Sequence, residues 1–263
     1  MEEMVPLERL FGEYPSVEGL LATFSADDRA ELRSVDADGG ALCQPSLYSD
    51  GAVDRIYARY FRQVGSFVDV LRLTGAVVTG KAAFEFFTKV NCCDELHVIV
   101  CETTVQHLKW FLTKSEGYYL DKTVTLSQAQ VLNLRYTLHE KVVVISVTEA
   151  RNPYETFLRH SCVTSELNFL SADFGYCLFP KRTIVRKESQ VCKPNALERE
   201  EEEGLRKISE FGFRVIPWGE RQQDEELSSK RMIGDDLTWT VQLNICLQIQ
   251  AIFDTGMRHS VDK

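Results

Sequence analysis

The chain lacks the ingredients of several common functional sites. Its eight cysteines contain no Cys-x2-Cys pair: Cys92 and Cys93 adjoin, and the others stand singly at 43, 101, 162, 177, 192 and 246. Structural zinc is held by closely paired ligands, so this scatter argues against it. Basic residues are in deficit, 30 Lys and Arg against 39 Asp and Glu, leaving a formal charge of -9. A general nucleic-acid binder needs a basic face, and the balance argues against that class. The one local basic run, Lys181, Arg182, Arg186 and Lys187, reads as a solvated loop. No apolar run reaches bilayer length, so no membrane partner is expected. The first thirty residues carry no basic start followed by an apolar run, which predicts no secretory signal. Reduced thiols in the cytoplasm or nucleus fit such a chain. Phosphate loops of Walker or Rossmann type, internal repeats and low-complexity tracts are all missing.

What is present is an ordinary globular composition, 44% hydrophobic and 26% charged over 263 residues. Ser16 precedes Val17, Leu20, Leu21 and Phe24 at helical spacing, and Ser25 with Asp28 opens a second helix bearing Leu32 and Val35. Residues 1–50 therefore read as a helical N-terminal region, ending in a Gly-, Asp- and Pro-containing loop. Val53, Ile56, Tyr57, Tyr60 and Phe61 predict a helix over 51–62, with a short one following through Phe67, Val70 and Leu71. Ala76–Val78 reads as a buried strand, Lys81–Thr88 as a helix, Leu96–Cys101 as a strand and Thr103–Ser115 as a helix whose inner face includes Trp110, closed by Gly117. Leu132, Leu134, Tyr136 and Leu138 alternate with polar residues, and Val142–Val147 follows after His139-Glu140-Lys141, which is the pattern of a hairpin. Pro153 opens a further helix, and another short one is expected over Ser165–Leu170. Tyr176–Phe179 reads as extended, Glu198–Phe211 as a helix closed by Gly212, and Leu237–Ile245 as a strand.

The centre of this pattern holds the candidate site. A strand ends at Thr79-Gly80-Lys81, a helix follows, and the next strand opens with Asp94-Glu95-Leu96-His97. Leu73-Thr-Gly75, Thr79-Gly80, Ala83-Phe84, Phe86-Phe87, Leu96…Val100, Phe111-Leu112 and Gly117-Tyr118 together resemble a large group of fungal, agaricomycete-type proteins of uncharacterised function. Phe157-Leu-Arg-His-Ser161, Leu167–Leu170, Tyr176–Pro180, Arg206…Phe213 and Gly234…Trp239 continue the likeness, which covers about residues 50–245. Those proteins carry a degenerate nucleotidyltransferase-like domain, and some have an F-box-like helical start to which residues 15–35 are similar.

The resemblance implies an α+β fold. A minimal mixed sheet of nucleotidyltransferase type, with helices on one face, would span 51–263, beside the helical region 1–50. It also implies a phosphate-and-metal site with a Gly-Ser turn and an Asp-x-Asp strand. Two magnesium ions would be held there by oxygen ligands, because charge develops on both the attacking and the leaving oxygen. Here the turn is Gly80-Lys81, and Glu95 and His97 stand where the carboxylate pair belongs. Shifting the register pairs Asp94 with Leu96 and does not restore it. The strand Lys141–Val147 supplies no third carboxylate. Gly80, Lys81, Glu95 and His97 thus read as a vestigial nucleotide and metal site, with no catalytic residue assigned and no cofactor expected.

The expectation is a non-catalytic pseudo-nucleotidyltransferase acting as a binding or adaptor module for an unidentified protein or small molecule. Two alternatives stand beside it. One is a divergent transferase using Glu95 and substrate phosphate to hold magnesium, and the other is an F-box-type ubiquitin-ligase adaptor resting on the N-terminal helices. His160 with Cys162 suggests a thiol nucleophile, but positions two apart on one helix do not face each other.

Overall fold

A computed structural model describes residues 52–126, 131–149, 153–192 and 199–218, together with 220, 227, 233, 235 and 237–243. The N-terminal region over 1–50 lies outside the described residues, as does the end of the last expected strand.

Two helices open the described chain, α1 (Ala52–Ala58) and α2 (Val64–Thr74), in place of one helix over 51–62 and a short successor. The break falls at Tyr60 and Phe61, whose amides both bond back to the Tyr57 carbonyl. The strand β1 (Val77–Thr79), helix α3 (Lys81–Thr88) and strand β2 (Leu96–Cys101) follow, as the periodicity predicts. Helix α4 (Val105–Trp110) widens into a π-helical turn over Phe111–Glu116, and Gly117 ends it at φ 84°. That angle is left-handed and suits glycine. Trp110 faces solvent rather than the core, at 63% exposure.

The strands β3 (Tyr119–Leu126), β4 (Val131–Leu138) and β5 (Lys141–Thr148) form an antiparallel meander. No sequence signal pointed to β3, because as an edge strand it is largely exposed and its residues alternate weakly. Helix α5 (Pro153–His160) leads to β6 (Asn168–Leu170) and β7 (Phe174–Cys177). The helix expected over 165–170 is instead a single 3-10 turn, Thr164–Glu166, followed by β6. Short apolar runs read equally well as helix or strand. Here pairing of β6 with both β1 and β7 decides for strand.

Among the described residues the main sheet has eight strands in the order β10-β7-β6-β1-β2-β5-β4-β3, where β10 is Trp239–Gln242. Only β2 and β5 run parallel; the other neighbours are antiparallel. Val77 faces Ile99 across β1 and β2, and Val98 faces Ile145 across β2 and β5. A small parallel pair joins β8 (Glu188–Gln190) to β9 (Arg214–Ile216), beside α6 (Arg199–Glu210).

The main core lies on one face, where Val78, Val98, Val100, Val143 and Ile145 meet α1 to α4. Tyr57, Phe61, Phe67 and Phe111 make a ring cluster there. Ile56 and Tyr60 are buried in the same core, so α1 is integral to the domain. The expectation of helices on one face holds for these four elements and needs extending. On the opposite face Val77, Ile99 and Phe169 pack against Phe157 of α5.

The basic run at 181–187 is solvated only in part, at Arg186 and Lys187. It forms a π-helical turn, Lys181–Arg186, in which Arg182 is fully buried and pairs with Glu188 at 3.3 Å. Glu188 also pairs with Arg214. A buried charge is tolerated when it is paired, and sequence alone does not reveal a partner six residues away on another element.

Candidate functional site

The site begins at the end of β1. Gly80 sits at φ 66°, ψ -141°, and a Cβ there would lie 3.7 Å from His97 Cβ. The left-handed angle, rather than crowding, makes glycine the fitting residue. The turn delivers Lys81 to the first position of α3, where its ammonium donates to both oxygens of Asp94, at 2.6 and 2.7 Å.

From β2 the chain brings Glu95 and His97 to the same side. His97 Nε2 lies 2.8 Å from Glu95 Oε1, and Arg135 Nη1 donates to Glu95 Oε2 at 3.0 Å. Arg135 Nε also lies 3.9 Å from Asp121. Strand register explains the convergence. Thr79, His97, Val144, Arg135 and Lys122 form one row across β1, β2, β5, β4 and β3. The adjacent same-face row runs Val77, Ile99, Ser146, Asn133 and Val124, and Ser146 donates to the Asn133 side-chain oxygen at 2.7 Å. Ser146 is the residue of β5 that lines the same cavity as Thr79, Glu95 and His97.

All four sequence-predicted residues, Gly80, Lys81, Glu95 and His97, line one cavity of about 360 Å³. Its other walls include Phe84, Phe157, Ile208, Phe211, Ser161 and Lys207. Sequence reasoning missed Arg135, although its alternation with Leu134 and Tyr136 placed it on the polar face of β4. It also missed the lid-like contribution of α6, since nothing local shows which helix closes a cavity. The Cys162 thiol donates to Glu201 at 2.9 Å, and the side chain of His160 lies outside those described.

The electrostatics are those of closed ion pairs. The hydrogen bond from His97, and then Arg135, hold the Glu95 carboxyl down at about 2. Neither Glu95 oxygen is left without a cationic or imidazole partner, and both Asp94 oxygens are held by Lys81. Among the described residues no group of three or more His, Cys, Asp or Glu side chains is placed to hold a metal ion. The donor set does not suit a pair of magnesium ions, which require several shared oxygen ligands.

A pH consequence follows. The folded Glu95 carboxyl titrates near 2, below its ordinary value of 4.5. Its stabilising contribution is thus complete above pH 4.5 and is lost as pH falls toward 2. Glu95→Gln is expected to cost about 1–2 kcal/mol at pH 7, discounted for partial solvent screening. Urea midpoints measured from pH 7 to pH 3 should show wild type and variant converging below pH 4.5. A gap that stays constant to pH 3 would remove the ion-pair assignment.

The sequence matches no protein-family model and no curated protein.

Proposed function

We propose that this chain is a non-catalytic, nucleotidyltransferase-like binding module whose ligand enters the cavity around Gly80 and His97. The observation that carries the reading is the pairing of Glu95. Its two oxygens are engaged by His97 and Arg135, where metal-bridging carboxylates would otherwise stand. Transfer chemistry on phosphate depends on electrostatic stabilisation of developing charge, and in sites of this type bound metals provide most of it. One carboxylate already held by Arg135 and His97 does not meet that need. The cavity, about 360 Å³ with Phe84, Phe157 and Phe211 among its walls, falls within the size range of small-molecule sites. A small molecule with an apolar body is the favoured ligand class for this module.

Isothermal titration with each nucleoside triphosphate, with and without magnesium or manganese, is expected to show no metal-dependent binding. Incubation with labelled triphosphates should give no incorporation into protein, RNA or small acceptors. The double variant Lys81→Ser, His97→Asp should gain magnesium binding without gaining transfer. Metal-dependent turnover by the natural sequence, abolished in Glu95→Ala, would overturn the reading and establish a divergent transferase.

A further inference from the structure

Each charged side chain that lines the cavity around Gly80 and His97 has a partner. Lys81 is held by Asp94 at 2.6 and 2.7 Å, and Glu95 by His97 and Arg135. Lys207 Nζ lies 3.8 Å from Glu203, and Glu166, the remaining acid of the lining, is engaged as well. A charged ligand therefore meets no open counter-charge there, and burying a charge unpaired is costly.

Two uncharged hydrogen-bonding sites are left over. The first is Thr79, which is 7% exposed, lines the cavity and has a hydroxyl that makes no hydrogen bond among the described residues. Buried hydroxyls are normally satisfied. The serines of the lining are: Ser146 donates to Asn133 at 2.7 Å and Ser161 to the Phe157 carbonyl at 3.0 Å. The second site is His97 Nδ1, since the imidazole bonds through Nε2, to the Glu95 carboxylate at 2.8 Å. An ionised carboxylate only accepts, so Nε2 carries the proton and the neutral ring presents Nδ1 as an acceptor. Arg135 holds that carboxylate in place through its other oxygen. Thr79 and His97 face each other across β1 and β2, so their side chains share one face with Cβ atoms about 4.5–5.5 Å apart. A donor and an acceptor thus stand side by side, and Phe84, Phe157 and Phe211 are among the other walls.

We propose that the cavity binds an uncharged aromatic alcohol whose hydroxyl donates to His97 Nδ1 and accepts from the Thr79 hydroxyl, an inference that rests on the cavity being the small-molecule site described above. A hydroxyl donates and accepts through one oxygen, which suits two partners this close together. A carboxylate in the same place would set its charge against the Nδ1 lone pair and against Glu95. The phenylalanine rings of the wall favour an aromatic body, which they contact edge-to-face or offset.

The test titrates the full chain with phenol at pH 8 in the presence of a chelator, followed by calorimetry and by ligand-observed NMR. Saturable binding at one site per chain is expected. Toluene, which keeps the ring and has no hydroxyl, should bind at least about tenfold more weakly, and anisole, which cannot donate, should fall with it. Thr79→Val preserves the side-chain shape and should weaken phenol about fivefold while leaving toluene unchanged, with circular dichroism as the check on folding. Equal affinity of the natural chain for phenol and toluene overturns the hydroxyl seat, and so does the absence of saturable phenol binding. The non-catalytic reading fails on a different result, metal-dependent turnover of triphosphates, which these titrations do not involve.

Discussion

Glu116→Ala is expected to destabilise the fold by about 2–6 kcal/mol, with unfolding midpoints falling in both urea and heat. The side chain of Glu116 is fully buried at the end of the π-helical turn. Its Oε2 accepts from the Arg62 amide and its Oε1 from the Gln63 amide, each at 2.9 Å. Those amides stand at the start of α2, and Gln63 makes no side-chain cap bond of its own. Helix N-termini leave several N–H groups without intrahelical partners, and a carboxylate there also meets the positive end of the helix dipole. Arg62 returns the contact, donating to the Ser115 and Glu116 carbonyls at 3.0 and 3.3 Å. Two helix ends distant in sequence are thereby tied together. Removing the carboxylate buries two unpaired donors, at about 1–3 kcal/mol each. Glu116→Gln should recover part of the loss, since one oxygen acceptor remains. A midpoint unchanged in Glu116→Ala would show that water replaces the cap and that the junction is open.

Phe67→Ala should cost about 3–5 kcal/mol, the range for removing a buried aromatic side chain. Phe67 is fully buried on α2, with ring centres of Phe61, Tyr57 and Phe111 at 4.1, 5.0 and 6.0 Å. These rings come from α1, the segment after it, and the turn that follows α4. One truncation therefore loosens three contacts at once, and neighbouring rings cannot all move into the space. For a domain of this size each kcal/mol lowers Tm by about 2–4 °C. Leu73→Ala on the same helix is the control. Leu73 is 64% exposed, and its loss should stay within about 0.5 kcal/mol. Equal effects at the two positions would mean that α2 is not packed as described.

The periodicity of single segments determined much of the fold from sequence alone. Lys81–Thr88 and Leu96–Cys101 form the expected helix and strand, and the hairpin over 131–148 turns at His139 as its alternation required. These elements are legible because each apolar pattern matches one repeat, 3.6 or 2, over most of its length. Gly80 and Gly117 were legible for a related reason, since each occupies the left-handed angle that its turn requires. Residues Gly80, Lys81, Glu95 and His97, singled out by the family resemblance, line one cavity.

Tertiary structure alone decided the rest. Arg135 reaches Glu95 because β4 pairs with β5 and β5 with β2, a register that no local pattern encodes. Arg182 looked solvated in sequence and is buried, because its partner Glu188 folds back beside it. The segment after Ser165 became strand, not helix, through pairing on both its edges. The Glu116 cap likewise joins residues more than fifty positions apart in the chain. In each case the deciding energy belongs to a contact between distant segments, and a sequence read locally carries the residue types of such contacts but not their partners.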